Sequence, residues 1–273
     1  MKFVKFIIAG ISASAALALA APAHAQDSDQ QAVIERAEEL GERIYLYDQA
    51  AWHTTDAMLE DLADPAAAGV RGWVVNAVAE ADGGGHEAVF FREGQDGLEA
   101  AWSGRYDGRR VRDARTYDNG ERPLTSEERA MAEALDAPFS IETDYSLCSE
   151  RINRVVFPTG KADGSLYVYL LAPQPAMDQI PFGGHFRFEV LDGEVVDHRR
   201  FTNSCLTMAL RAEEGQTPAA LTISHLLDDT PTEIHVLSML AARLPVYVMT
   251  TGNDRVWSVE ARDGKPSIET VER

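Results

Sequence analysis

Apolar and charged residues in the N-terminal third of the chain alternate with the period of an α-helix. Between residues 29 and 62, apolar side chains recur at spacings of three and four residues, with charged side chains on the opposite face. The apolar stripe consists of Val33, Ala37, Leu40, Ile44, Tyr47, Ala51, Met58 and Leu62. Pro65 and Gly69 end the pattern, so we predict one long amphipathic helix.

A series of short β-like segments follows, from Val70 to Thr116. The segments GWVVNAVAE, EAVFFRE, GLEAAWSGRY and RRVRDART are separated by the turn sequences DGGG, GQDG and DG. Short turns of this kind join neighbouring strands in antiparallel order. We therefore predict an antiparallel meander of about four strands in this region.

The next pattern is a short helix followed by a second group of strands. Thr125 stands three residues before Glu128, which is a capping box, and Pro138 stops the helix predicted over 126–137. Strands are predicted at INRVVFPT, SLYVYLLAP, GHFRFEV and EVVDHRRFT, and LPVYVMT and RVWSVEA form a hairpin around TGND.

The grouping of strands with strands indicates an α+β fold with a long N-terminal helix and antiparallel meanders. We expect two blocks after the N-terminal segment. Residues 26–140 hold the long helix and the first meander, and residues 141–273 hold a β-rich block with a helix and a C-terminal hairpin. One continuous domain is the alternative.

The segment HLLDDTPTEIH, residues 225–235, permits two structures. As a hairpin it would place His225 opposite His235, close enough to share a metal ion. As a strand followed by a helix over 231–244, Thr230 would be the N-cap and Glu233 its capping-box partner. The apolar spacing favours the helix, so we expect the fold to keep the two histidines apart and we predict no metal site.

The first 25 residues have the features of a secretory signal peptide. Lys2 and Lys5 precede an uncharged apolar run, and Ala23 to Ala25 supply small residues for cleavage after Ala25. An uncleaved anchor is the alternative. No later stretch is apolar enough to span a bilayer, so we predict a periplasmic or secreted protein without stable membrane insertion.

The net charge and the cysteine content further restrict the functional classes to which the protein can belong. The formal net charge of −19 opposes binding to nucleic acid. Cys148 and Cys205 are the only two cysteines, and in an exported chain they are expected to form a structural disulfide. The sequence contains no nucleophile elbow, zinc signature, phosphate loop or dinucleotide fingerprint, so we predict no cofactor.

Two clusters of charged residues are candidate ligand sites. A two-residue turn at Asp192-Gly193 would gather His185, Arg187, His198 and Arg200 on one face of a hairpin, where they could bind a small anion. A solvated face with cross-strand ion pairs is the favoured alternative. The arginine-rich stretch RYDGRRVRDAR, starting at Arg105, is more simply explained by internal counter-charges than by an anionic partner.

Several segments resemble a family of exported proteobacterial proteins of unknown function. The similar segments are DQAAWHTTDA, FGGHFRFEV, FTNSC, PTEIHVLSMLAARLPVYVMT and a later RVW. The resemblance would cover most of the chain and implies an envelope protein. It assigns no catalytic residues.

The leading functional prediction is a non-enzymatic binding module of the cell envelope, whose partner is an envelope protein or a small anionic ligand. A periplasmic, hydrolase-like enzyme with a site assembled from scattered His, Asp and Arg side chains is the alternative. Convergence of several histidines with carboxylates in one pocket would favour the enzyme. The histidines concerned are His53, His185, His198, His225 and His235.

Overall fold

In the computed structural model of the protein, the described residues are 23–145, 147–211 and 218–272, and most of the predicted signal peptide lies outside them. The first element is helix α1, Ala23–Asp61, which confirms the long N-terminal helix. The predicted stripe is buried at Ala37, Leu40, Ile44, Tyr47, Ala51 and Met58, whereas Val33 is exposed and the adjacent Ile34 is buried instead. None of the helices within these ranges is long and apolar enough to cross a membrane.

The first sheet is the predicted four-stranded meander. Its strands are β1 Val70–Ala77, β2 His86–Gly94, β3 Gly97–Tyr106 and β4 Val111–Thr116, and they pair antiparallel in chain order. Alternation divides the side chains between two faces. Phe90 and Trp102 pack against α1, while Val89 and Phe91 belong to a second cluster on the other face.

Helix α2, Ser126–Ala134, begins as predicted. The Thr125 hydroxyl accepts a hydrogen bond from the Glu128 backbone N–H, and the Glu128 carboxylate accepts one from the Thr125 N–H. The helix ends earlier than predicted, and Pro138 lies in a separate 3-10 turn, Ala137–Phe139. Met131 of α2 belongs to the second cluster with Val89 and Phe91.

A second four-stranded antiparallel sheet has the order β5-β6-β8-β9. Its strands are β5 Asn153–Pro158, β6 Leu166–Leu171, β8 Phe186–Leu191 and β9 Glu194–Arg200. Two short strands, β7 Gln179–Pro181 and β10 Thr207–Ala209, pair separately. Phe157 and Tyr169 join the cluster under α1, and Val156 and Phe188 join the cluster under α2. Both clusters therefore take residues from each of the two predicted blocks.

The C-terminal part combines a parallel and an antiparallel pairing. Strand β11, Leu221–His225, lies parallel to β12, Val246–Thr250, and helix α3, Glu233–Ala242, connects them. Strands β13, Arg255–Arg262, and β14, Lys265–Thr270, complete the sheet antiparallel. The predicted hairpin between β12 and β13 is confirmed, whereas the parallel pair and β14 were not predicted.

The predicted start of α3 is wrong by two residues. The N-cap is Thr232 instead of Thr230, and the backbone N–H of Thr232 donates to Nδ1 of His235 at 3.0 Å. His235 thus takes the capping position that was expected for Glu233. The reason is tertiary, because the Glu233 carboxylate forms a buried ion pair with Arg187 at 2.7 Å.

Helix α3 packs directly across α1 at Gly41. A β-carbon at residue 41 would lie 2.7 Å from the Glu233 carbonyl oxygen and closer still to Val236 Cβ. Only glycine permits two helix backbones to approach this closely.

The predicted disulfide between Cys148 and Cys205 is confirmed, with its Cα atoms 5.5 Å apart, and it links the chain before β5 to the chain after β9.

Candidate functional site

The four residues predicted to gather on the β8–β9 hairpin do not share one face. Asp192 and Gly193 form the expected turn, with φ of 50° and 82°. A bulge between Glu189 and Val190 then shifts the register by one residue, which pairs Phe188 with His198 and Phe186 with Arg200. The pairing of Arg187 with His198 was therefore wrong.

Each of these four side chains has its own local partner. His198 Nδ1 hydrogen-bonds the Tyr145 hydroxyl at 2.7 Å, and Arg200 reaches an Asp144 carboxylate oxygen at 3.5 Å. Arg187 lies on the α1 side and is committed to Glu233, which also accepts a hydrogen bond from the Tyr169 hydroxyl. His185 is fully buried. The anion site predicted at His185, Arg187, His198 and Arg200 therefore loses its geometric basis.

The arginine-rich stretch around β4 carries its own counter-charges. Arg105 pairs with Asp113 at 2.6 Å, and Arg112 pairs with Asp107. Arg115 pairs in the same way with Glu121. These contacts support the interpretation of the stretch as internal charge balance.

The structure brings His225 and His235 together, which contradicts our expectation. Their ring centroids are 4.7 Å apart and the rings are nearly perpendicular. The predicted helix forms, with its start two residues later than expected, and its first turn lies beside the end of β11. A helical start and proximity of the two histidines are therefore compatible.

These histidines belong to a buried polar network. His225 Nε2 donates to the Asp228 carboxylate at 2.8 Å, and Arg199 donates to the same oxygen at 2.7 Å. Burial alone would raise the pKa of Asp228, but the hydrogen bonds from His225 and Arg199 lower it overall. Burial, together with the nearby His225, lowers the pKa of His235 to about 3, so its imidazole is neutral. No group of three or more metal-ligating side chains occurs within the described ranges.

A separate cavity of about 740 Å³ lies between α1 and α3. Tyr45, Asp48 and Trp52 of α1 form one wall, and Leu237 and Ala241 of α3 form the opposite wall. The connection between β6 and β7 closes a third side. The close contact between the two helices at Gly41 lies one turn before Tyr45 in the cavity wall.

Two polar groups in the cavity wall have few or no protein partners. Asp48 receives one long hydrogen bond, 3.4 Å from Asn153 Nδ2, and burial raises its pKa to about 6. His185 Nε2 hydrogen-bonds the Pro181 carbonyl oxygen at 3.1 Å, and burial lowers the His185 pKa to about 4. A neutral imidazole that donates through Nε2 carries its lone pair on Nδ1. That Nδ1 is buried and has no partner.

Aromatic side chains form much of the remaining wall. Trp73 of β1 joins Tyr45 and Trp52 in lining the cavity, and 47% of the Trp52 surface is exposed. Trp52 stacks on His53, which stacks in turn on Tyr106 at 4.4 Å. Such a wall offers flat apolar surfaces beside a small number of hydrogen-bonding groups, which is the usual composition of a small-molecule site.

Sequence reasoning identified His185 but for a different site, and it missed Asp48 and Asn153. The available signal was the mixture of aromatic and acidic residues in YLYDQAAWHTTDA, which lies within the segment that we predicted as an amphipathic helix. Comparisons with protein-family models, with curated proteins and with solved structures found no match for the chain.

Proposed function

We propose that the protein binds a small organic molecule in the cavity between α1 and α3, as a non-enzymatic binding protein of the cell envelope. The observation that carries the proposal is the cavity itself. Its volume, about 740 Å³, falls within the range of roughly 300–1,000 Å³ that is typical of ligand pockets. Its wall combines Trp52 and Trp73 with the carboxylate of Asp48.

The envelope location is supported by the predicted signal peptide over residues 1–25 and by the disulfide Cys148–Cys205. Structural disulfides persist in oxidising compartments such as the periplasm. The resemblance to exported proteobacterial proteins agrees with this location.

A hydrolytic function receives less support from the geometry. Its one favourable feature is the hydrogen-bonded His225–Asp228 pair beside His235. These three side chains are not in the wall of the α1–α3 cavity, and of the five histidines considered above His185 alone lines it. A ligand in the cavity is therefore not in contact with the histidine pair, and we favour binding over hydrolysis.

The proposal is tested with a cavity-filling variant. Ala241 is exposed at the cavity wall, so Ala241→Phe should fill part of the space without burying a new side chain in the core. Ala32→Phe, at an exposed position of α1 away from the cavity, is the matched control. Saturation-transfer NMR with a library of small aromatic molecules should identify ligands of the native protein.

We expect these ligands to bind Ala32→Phe as they bind the native protein, and to bind Ala241→Phe weakly or not at all. Ligands that bind Ala241→Phe unchanged, or a library without any ligand, would refute the proposal.

A further inference from the structure

The cavity wall contains hydrogen-bond acceptors that have few or no partners within the protein. The Asp48 carboxylate has only the long contact with Asn153, and His185 Nδ1 has none. An ionised carboxylate accepts hydrogen bonds and does not donate them, and the same holds for an unprotonated imidazole nitrogen. A ligand group that satisfies the Asp48 carboxylate must therefore supply N–H or O–H donors.

Asp48, which is half-buried in the cavity wall, differs from the acidic side chains that this fold buries. Among the residues that the structure describes, each of the four buried glutamates has a basic partner. The pairs are Glu99–Arg92, Glu128–Arg122, Glu189–Lys161 and Glu233–Arg187. Asp48 has no ion-pair partner within the parts of the chain that the structure describes. Removal of a carboxylate from water costs free energy unless a counter-charge offsets it. Asp48, which lacks such a counter-charge, lies in the wall of the cavity.

The aromatic walls suit the same kind of ligand. Tyr45, Trp52 and Trp73 surround the space that Asp48 faces. The face of an aromatic ring attracts a cation, and indole does so most strongly. Arg243 is the one arginine that lines the cavity in the described chain, and it is exposed at the C-cap of α3.

The net charge of the whole protein also favours a cationic ligand. A formal net charge of −19 creates a negative potential that concentrates cations at the surface and repels anions. This long-range field and the local carboxylate favour the same ligand charge. Together they oppose the small anion that the sequence had suggested.

We propose, as a refinement of the binding function above, that the ligand is an organic amine with an aromatic body, whose ammonium group pairs with the Asp48 carboxylate. The aromatic body packs among Trp52, Trp73 and Tyr45.

Three probes with one aromatic skeleton test the ligand charge. Tryptamine, tryptophol and indoleacetate carry an ammonium, a hydroxyl and a carboxylate group on the same indole. Isothermal titration calorimetry at neutral pH should show tryptamine binding about tenfold more tightly than tryptophol, a ratio in the range of single ion-pair contributions. Indoleacetate should bind most weakly.

Two matched variants connect this preference to Asp48. Asp48→Asn removes the charge with little change of shape, and Asp56→Asn does so at an exposed position of the same helix. We expect Asp48→Asn to lose the tenfold advantage of tryptamine and to bind tryptophol as the native protein does, which also shows that the variant is folded. Asp56→Asn should bind all three probes as the native protein does.

The outcomes separate the refinement from the binding function. Equal affinities for the three probes, all abolished by Ala241→Phe, would overturn the amine assignment and leave the binding function intact. A preference for indoleacetate, the absence of binding by any of the three, or a tryptamine preference that survives Asp48→Asn would also overturn the assignment. Failure of the NMR library screen, by contrast, counts against the binding function itself.

Discussion

Gly41 determines how closely α1 and α3 approach, and Gly41→Ala measures the cost of separating them. The added β-carbon would lie 2.7 Å from the Glu233 carbonyl oxygen and 2.7 Å from Val236 Cγ1. Carbon atoms in protein interiors pack at about 3.5–4.0 Å, so the helices must move apart by roughly 1 Å at this point. Rotation of the Val236 side chain cannot relieve the contact, because the carbonyl belongs to the backbone of α3.

Two effects of opposite sign set the magnitude. Alanine is favoured over glycine inside a helix by about 1 kcal/mol. Overpacking of a close contact costs about 1–3 kcal/mol, and the rigid backbone partner places this site at the upper end. The displacement also disturbs Glu233, whose carboxylate is 2.7 Å from Arg187. We expect a net destabilisation of about 2 kcal/mol.

Urea unfolding followed by tryptophan fluorescence measures this change, with the disulfide kept oxidised. Ala32→Gly, at an exposed position of the same helix, calibrates the helix-propensity contribution and should cost about 1 kcal/mol. The packing argument is refuted if Gly41→Ala is as stable as the native protein, or more stable.

Two further predictions concern buried side chains, and a third concerns the disulfide. Arg187→Met should destabilise the protein by about 3–5 kcal/mol because it leaves the buried Glu233 carboxylate without a counter-charge, and a double-mutant cycle with Glu233→Gln should show strong coupling in urea unfolding. His235 has its pKa lowered from 6.5 to about 3, so the native state resists protonation and stability should fall as the pH decreases from 6.5 towards 3. His235→Gln keeps a capping acceptor without this titration, so a pH dependence as steep as that of the native protein would contradict the assignment. Reduction of Cys148–Cys205 should lower stability by about 4 kcal/mol, and titration of the unreduced protein should detect no free thiol.

The elements that local patterns determine were predicted well. Helix α1, the first meander and the Thr125 cap of α2 each depend on residues within a few positions of one another. The errors occur where two local sequence patterns are both compatible with the same segment. Thr230 and Thr232 both have a capping partner three residues later, and the pairing of Glu233 with Arg187 decides between them. No local pattern contains that contact.

The candidate site could not be predicted from the sequence, because it also depends on contacts between residues that are far apart in the chain. One bulge beside Val190 moved His198 and Arg200 to the other face of the hairpin. The cavity joins Asp48 of α1 with Ala241 of α3, two positions from opposite ends of the chain. Periodicity predicts that each helix has an apolar face, but it does not indicate which faces meet.

The packing of α1 against the C-terminal sheet also constrains the order of folding. Ile34 and Ala37 are buried in one cluster with Trp257 and Val259, although most of the chain separates them. Contacts of such long sequence separation form slowly because a large loop must close first. A nascent chain that has not yet reached β11 leaves this part of the apolar stripe of α1 uncovered. The first helix to be synthesised therefore completes its packing last, and until then it is the segment most exposed to aggregation.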